Sequence, residues 1–210
     1  MPASLDAMTT RRTALRHLLV LAGLPWLDPV LARPHDHGGS AQDTILLVAS
    51  DKMGDPRFRE TVLMVMRHGP GGPLGVILNR PTRFTREQIL PRFEELPGGG
   101  EPVFLGGPVN HKTLFYIARF GTEPPGVLTI APDVYMGLDL RALGRMLEAG
   151  MRPAALRIYA GYAGWAPGQL ERELQQASWH VLPMDPGVLF EADTDALYPR
   201  LKTRTRLIPA

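Results

Sequence analysis

From residue 45 onward, short apolar runs alternate with turns that are rich in glycine and proline. Apolar runs of this length, bounded by such turns, are typical of β-strands. The pattern predicts strands over residues 45–49, 62–66, 74–78, 103–105, 114–120, 127–130, 156–159 and 179–182, with 188–190 as a further candidate. Strands are therefore expected to make up most of the regular structure.

Helical spacing is restricted to a few segments. Within residues 138–147, Leu140, Leu143 and Leu147 recur at intervals of three and four, and Gly150 follows as a C-terminal cap signal. Shorter helical segments are predicted at three places: residues 87–93, 167–176 and, as a turn or helix, 195–201.

The order of these elements indicates the fold class. Helices do not alternate regularly with strands, as they would in a doubly wound parallel sheet. We therefore predict a single compact α+β domain over residues 44–210, in which mixed and antiparallel strands pack against several short helices.

The first 32 residues have a different character. Arg11 and Arg12 precede an apolar run, which is followed by small or aliphatic residues that end at Ala32. These are the three parts of a secretory signal peptide, and the paired arginines resemble the twin-arginine export signal. We expect residues 1–32 to be a twin-arginine-like signal peptide and 33–43 a polar linker, with the mature protein in the periplasm. A cytoplasmic protein with an N-terminal extension is the alternative.

Composition limits the chemistry of the chain. It has no cysteine, which excludes disulfides, thiolate metal sites and cysteine nucleophiles. Its 23 basic and 21 acidic residues leave a formal charge of +2, too little to indicate a nucleic-acid partner. No apolar stretch reaches the roughly 18–20 residues of a membrane span, so no anchor is expected after signal cleavage.

The linker contains a His-Asp-His sequence at residues 35–37, which raises the question of a metal site. A square-planar clamp at a mature N-terminus would use the backbone nitrogen of its second residue as a ligand. That residue would be Pro34, which has no N–H to give up. We predict no metal site and no cofactor.

Near the C-terminus, basic residues alternate with other types at Arg200, Lys202, Arg204 and Arg206. In an extended segment all four cations would lie on one side, which suits a phosphate backbone or an acidic partner. A solvated tail or a charged edge strand is the favoured interpretation.

Four segments carry a family resemblance. They are LLVA at 46–49 with DPRF at 55–58, LGVILNRP at 74–81, LGGPV at 105–109, and GYAGW at 161–165 with GQLE at 168–171. In order and spacing they resemble the YqgE/AlgH family of bacterial proteins. The resemblance implies a compact α+β fold but no agreed biochemical activity. The family's association with control of alginate and virulence genes in a pseudomonad makes a cytoplasmic transcriptional regulator an alternative function.

Two of these motifs have residues suited to binding. Arg80 has a planar fork of donors that fits a carboxylate or a phosphate, although a structural pair with Glu171 or Glu173 is favoured. Asn79 is expected to cap a turn. Gly106 and Gly107 follow a strand, where they form either a tight turn or, less favoured, an anion-binding nest of backbone amides.

The fourth motif places two aromatic residues among glycines. Tyr162 and Trp165 form either a close-packed part of the core or an aromatic wall for a ligand or partner. Gln169 and Glu173 are four residues apart and share one face of the helix predicted there, which would aim Glu173 toward Arg80. We favour a structural pair over acid–base catalysis.

No sequence signature of catalysis is present. The chain lacks the HExxH and GxSxG motifs, and its histidines are scattered. We predict a non-enzymatic binding or regulatory accessory protein whose partner is an unidentified protein or a small anionic ligand. An enzyme that acts on a small anionic substrate is the alternative. The candidate binding residues are Asn79, Arg80, Gly106, Gly107, Tyr162, Trp165, Gln169 and Glu173.

Overall fold

The computed structural model describes residues 44–67, 72–91 and 100–207, and the strands in this part of the chain form one curled sheet. In chain order they are β1 (Thr44–Ala49), β2 (Val62–Met66), β3 (Leu74–Ile77), β4 (Pro81–Thr85), β5 (Pro102–Leu105), β6 (Val109–Arg119), β7 (Leu128–Ala131), β8 (Val134–Gly137), β9 (Ala155–Gly164) and β10 (Trp179–Pro183).

The ten-residue strand β9 connects the two halves of the sheet. One edge of β9 pairs with β6, while its other edge pairs with β3 and with β5. The order along the main path is β10-β1-β2-β3-β9-β6-β8-β7, and β4 is attached through β5. All the pairings are antiparallel except that of β5 with β9.

Four α-helices and two 3-10 helices lie between the strands of the described part. The α-helices are α1 (Arg86–Ile89), α2 (Leu140–Glu148), α3 (Gln169–Gln175) and α4 (Thr194–Thr205), and the 3-10 helices span Pro56–Phe58 and Pro186–Phe190. Local capping explains where two of the α-helices begin. The Asp139 carboxylate accepts a hydrogen bond from the Arg141 N–H at α2, and the Asp193 carboxylate accepts one from the Ala196 N–H at α4.

The sheet is buried on both faces, which is why β1 and β2 are apolar at nearly every position. Leu46 and Val48 of β1 belong to one hydrophobic cluster, which includes Leu201 of α4. Leu47 of β1 belongs to a second cluster on the opposite face, which includes Leu170 of α3. A third cluster packs under α2.

The predicted fold class is confirmed: the chain folds as one α+β domain with a curled, mostly antiparallel sheet and short helices. The sequence pattern missed β4 and β8. Residues 188–190, a candidate strand, lie instead in the 3-10 helix Pro186–Phe190, which Asp185 caps through the Gly187 N–H. The expected signal peptide and linker, with the His-Asp-His sequence, lie outside the described residues. None of the described helices is long and apolar enough to cross a membrane.

The expectation of an extended basic tail is wrong. Residues 194–205 form α4, so Arg200, Lys202 and Arg204 do not line up along one side of a strand. Arg200 pairs with Glu191 at 2.6 Å, and Arg204 pairs with Asp185 at 3.0 Å. These ion pairs reduce the positive charge available to a nucleic acid.

Candidate functional site

Glu173 follows the fourth sequence motif by two residues and accepts hydrogen bonds from two of its side chains, Trp165 and Gln169. It is on α3, which begins after Gly168, a residue with φ of 72°. One carboxylate oxygen, Oε2, accepts hydrogen bonds from the indole N–H groups of Trp165 at 2.9 Å and Trp179 at 2.8 Å. A single carboxylate therefore satisfies two indole donors whose side chains are each only 4% exposed.

The second oxygen of Glu173 is also occupied. Gln169, one helical turn earlier, donates from Nε2 to Glu173 Oε1 at 2.9 Å. Gln169 Oε1 in turn accepts the backbone N–H of Ala166 at 3.1 Å, which fixes the approach to α3. We call Trp165, Gln169, Glu173 and Trp179 the indole clasp.

The indole clasp also reaches the connection between β1 and β2. The rings of Trp165 and Trp179 meet edge to face, with centroids 6.4 Å apart. Phe58 also packs against Trp179, with centroids 5.6 Å apart at an interplanar angle of 68°. Phe58 belongs to the connection over residues 50–61, which we call the 50–61 loop, so the clasp supports this loop from one side.

Asn79 and Arg80 hold the same loop from its other end. Asn79 Oδ1 accepts the Val62 N–H at 2.9 Å, and Asn79 Nδ2 donates to the Glu60 carbonyl at 2.9 Å. The expected turn-capping role of Asn79 therefore appears as a side-chain bridge across the end of the loop. Arg80 donates from Nη2 to the Arg59 carbonyl at 2.6 Å.

This geometry replaces the predicted pairing of Arg80 with Glu171 or Glu173. Both oxygens of Glu173 are taken up by the indole clasp, and Glu171 lies on the exposed side of α3. The sequence correctly placed Gln169 and Glu173 on one helix face, but it could not show which residues that face would meet.

The 50–61 loop also has bonds of its own. The Ser50 hydroxyl donates to the Ala177 carbonyl at 2.5 Å, and the Thr61 hydroxyl donates to the Phe58 carbonyl at 2.7 Å. Asp55 accepts from both the side chain and the backbone of Arg57. The charged side chains of Lys52, Arg57, Arg59 and Glu60 remain exposed.

The glycine pair packs against backbone. A Cβ atom on Gly106 would overlap the Gly161 carbonyl, and one on Gly107 would overlap the backbone of Tyr162. The Gly106 N–H, which an anion nest would need, donates to the Ala160 carbonyl at 2.8 Å. Close approach to β9 accounts for both glycines, and the anion-nest interpretation loses one of its donors.

Tyr162 is part of the core and does not form an exposed wall. Its side chain is 6% exposed, and its ring meets Phe115 edge to face with centroids 5.7 Å apart. The structure thus brings Trp165, Gln169 and Glu173 together and places Asn79 and Arg80 at the loop they support.

The four sequence motifs lie within the part of the chain that a known family model matches. The family model described as AlgH-like (DUF179) matches residues 46–207. The chain belongs to the AlgH-like family. A UPF0301 protein from Chlorobium luteolum is 36% identical over 156 residues, covering 74% of this chain and 81% of that protein. A UPF0301 protein from Mycobacterium tuberculosis is 36% identical over 162 residues, covering 73% and 79%.

Two solved structures share the fold. The solution structure of AlgH from Pseudomonas aeruginosa has a TM-score of 0.63 and 28% identity, and the match covers 78% of this chain and 88% of that one. The crystal structure of a Corynebacterium diphtheriae protein has a TM-score of 0.67 at 21% identity, covering 84% and 92%. The second likeness shows the fold alone. None of these names states a biochemical activity.

A polar cluster that the sequence did not predict lies where α4 crosses the end of β1 in this AlgH-like protein. Lys202 is 8% exposed and donates to Asp51 Oδ1 at 3.1 Å and to the Ala49 carbonyl at 3.4 Å. The Tyr198 hydroxyl donates to the same carbonyl at 3.1 Å. The hydrogen bond from Lys202 holds the pKa of Asp51 below its ordinary value. Burial, assisted by the charge of Lys202, lowers the pKa of nearby His180.

A cleft of about 350 Å³ opens beside Arg157 and Phe104. Arg157 is 3% exposed and donates to Glu101 at 2.9 Å, to the Leu189 carbonyl at 3.1 Å and to the Glu191 carbonyl at 2.5 Å. Its guanidinium also lies 4.6 Å from the centroid of the Phe104 ring. These contacts tie residues 189–191 to the sheet, so Arg157 serves the fold.

The ring of Tyr159 lies 5.6 Å from that of Phe104, its side chain is fully buried, and burial raises the pKa of its hydroxyl. Across the described ranges, no group of three or more histidine and acidic side chains is placed to hold a metal ion. Ser50 is an unsuitable nucleophile in this arrangement because its hydroxyl already donates to a backbone carbonyl.

Proposed function

We propose that this AlgH-like protein is a non-enzymatic binding or regulatory accessory protein that presents the 50–61 loop to a protein partner. One observation carries the proposal. The polar side chains of the motifs bond to the protein itself, and several of them hold a loop whose own charged side chains face solvent. A loop fixed by its scaffold loses little conformational entropy on binding, which favours recognition.

The interpretation as an enzyme has less support. Arg80 and Glu173 have hydrogen-bond partners within the fold, and the glycine pair packs against backbone. Catalytic groups need to reach a substrate, and these groups are used in holding the loop. The alternative of a DNA-binding regulator loses support from the ion pairs of α4.

Partner capture with loop variants tests the binding proposal. Purified protein is used as bait, and Lys52→Glu/Arg59→Glu reverses two exposed charges of the loop without removing a side-chain contact described above. We expect recovery of a specific partner to fall roughly tenfold, a change of about 1.4 kcal/mol in binding free energy. Arg141→Glu, an exposed charge reversal on α2, is the matched control. Equal recovery by the two variants, or turnover of a substrate abolished by Arg80→Ala, would contradict the proposal.

We also propose that the protein is exported folded by the twin-arginine route and cleaved after Ala32. The paired arginines, the apolar run and the small residue at the cleavage point support this proposal. The test is the N-terminal mass of the protein in each compartment, for the native chain and for Arg11→Lys/Arg12→Lys. We expect a periplasmic chain that starts at Arg33 and is lost in the variant. An intact cytoplasmic chain that starts at Met1 would refute export and favour the cytoplasmic regulator.

A further inference from the structure

The free edge of β10 is a regular strand without charged residues. In the described part of the chain β10 pairs only with β1, and its register runs through five residue pairs without a shift. Its sequence is WHVLP, which contains no lysine, arginine, aspartate or glutamate. Exposed sheet edges usually carry charges, bulges or prolines that prevent pairing with another chain.

The other two edge strands carry such protection. β4 begins at Pro81 and contains Arg83, and its pairing with β5 shifts register between Pro81 and Thr85. β7 has a register shift between Thr129 and Ala131 where it pairs with β8. Irregularities of this kind disrupt the ladder that a neighbouring strand would need. β10 lacks them.

The direction of the main-chain groups on β10 follows from its pairing with β1. The Ser50 N–H donates to the Ser178 carbonyl, and antiparallel pairs alternate between bonded and non-bonded along a ladder. His180, opposite Val48, and Leu182, opposite Leu46, are therefore the residues whose backbone groups point to β1. The backbone groups of Trp179, Val181 and Pro183 point away from β1, toward the open edge of the sheet.

The outward set of groups is self-complementary about Val181. In an antiparallel pair with two-fold symmetry, Val181 of each copy exchanges two N–H···O bonds with Val181 of the other. The Trp179 N–H of each copy then donates to the Pro183 carbonyl of the other. Pro183 has no N–H, but it acts only as the acceptor in this bond. The pairing makes four main-chain bonds and brings no like charges together.

The side chains also suit this arrangement. Val181 is 45% exposed, although it lies opposite the buried Leu47 on the face of the second hydrophobic cluster. A second Val181 placed beside it would extend that apolar layer across the edge. A charged partner strand would gain no ion pair from β10.

We propose that the edge of β10 is a self-association surface, through which two copies of this chain pair β10 against β10 in antiparallel fashion to continue the sheet. Five-residue strands bury less surface than a standard interface, so the dissociation constant is on the order of 10–100 µM. This proposal concerns main-chain pairing at the edge of β10 and does not depend on the binding function of the 50–61 loop, although Phe58 of that loop packs against Trp179 of β10.

Amide hydrogen exchange at two protein concentrations tests the pairing in the unmodified protein. The Val181 and Trp179 amides are expected to exchange roughly four- to sevenfold more slowly at about 1 mM than at about 10 µM. The His180 and Leu182 amides should be protected at both concentrations because they bond to β1 within one copy. A Val181 amide that exchanges equally fast at both concentrations would overturn the proposal.

Sedimentation of variants adds a second readout. Val181→Pro removes one N–H that β1 does not use, and Val181→Lys places two like charges opposite each other. Each is expected to weaken dimerisation roughly tenfold or more. Val181→Thr keeps a β-branched side chain and the N–H, so it should still dimerise. A protein that is monomeric at about 1 mM would overturn the proposal, even if a strand of another protein occupied this edge. A dimer that is unaffected by the proline and lysine variants would also overturn it.

Discussion

The Trp179 indole N–H donates to Glu173 Oε2 at 2.8 Å, across only six residues of sequence. The bond joins α3 to β10 and places the Trp179 ring where Phe58 packs against it. A motif that suggested a ligand wall therefore acts as an internal support for the 50–61 loop. Its strength can be measured directly, because both partners lie on regular elements and Glu171, on the same helix, is exposed.

Removal of the Glu173 carboxylate is expected to destabilise the protein strongly. Glu173→Ala leaves two buried indole N–H groups without an acceptor, which costs about 2–4 kcal/mol in the free energy of unfolding. Glu173→Gln keeps one oxygen for the indoles but sets an amide donor against Gln169, so we expect a smaller loss of about 1–2 kcal/mol. Urea denaturation followed by tryptophan fluorescence measures both. Glu171→Ala is the matched control, expected within about 0.5 kcal/mol of the unmodified protein, and an equal loss in Glu171→Ala and Glu173→Ala would refute the role of the clasp.

Asn79 is expected to control the order of the 50–61 loop. Asn79→Ala removes the acceptor of the Val62 N–H and the donor to the Glu60 carbonyl, at a cost of about 1–3 kcal/mol. Asn79→Asp keeps the acceptor and loses the donor, so its effect should lie between those of alanine and the unmodified protein. Amide exchange at Val62 is the specific readout, because it should accelerate in Asn79→Ala and much less in Asn79→Asp. Unchanged exchange at Val62 in the alanine variant would show that the bridge does not order the loop.

The lowered pKa of His180 predicts a loss of stability in mild acid. Since the pKa of His180 in the folded protein is below its ordinary value of 6.5, the unfolded chain binds the proton more tightly. The free energy of unfolding is therefore highest, as far as His180 is concerned, above pH 6.5, and it decreases as the pH falls below that value. His180→Gln should remove this part of the pH dependence, as measured by urea denaturation between about pH 7.5 and 5. His111→Gln, at an exposed histidine, is the control, and parallel curves for the native protein and His180→Gln would refute the prediction.

The cluster around Lys202 makes a separate contribution at lower pH. The hydrogen bond from Lys202 lowers the pKa of Asp51 below its ordinary value of 3.8, so its contribution is present above that pH and is lost as the pH falls further. Asp51→Asn should therefore reduce stability at neutral pH and reduce the change in stability below about pH 4. Asp195→Asn is a matched control at an exposed aspartate on α4. Identical acid profiles for Asp51→Asn and the native protein would contradict this assignment.

Local patterns predicted the strands well where both faces of the sheet are covered, because those runs are continuously apolar. They failed for β4, whose sequence PTRFT is polar and lies at an edge. For α4 they predicted a turn or helix only over residues 195–201, and the alternating charges from Arg200 onward suggested an extended tail where the helix continues to Thr205. The signal for α4 was available in Asp193, a capping residue directly before the helix. The clasp residues on α3 were correctly placed on one face, but Trp179 and Phe58 reach them through tertiary packing that periodicity does not encode.

The close contact between Gly106 and β9 gives a test with a glycine control inside the same protein. A Cβ atom on Gly106 would overlap the Gly161 carbonyl, and backbone has little freedom to move away, so Gly106→Ala should cost about 3 kcal/mol or more. Gly144 lies on α2 with no atom within 4 Å of the position of its Cβ. Gly144→Ala should therefore stabilise the protein by about 0.5–1 kcal/mol through higher helix propensity. Thermal unfolding of the two variants should shift in opposite directions. If Gly106→Ala unfolds at the same temperature as the native protein, the backbone at Gly106 does not need to approach β9 this closely. The glycine pair would then again be open to interpretation as an anion-binding turn.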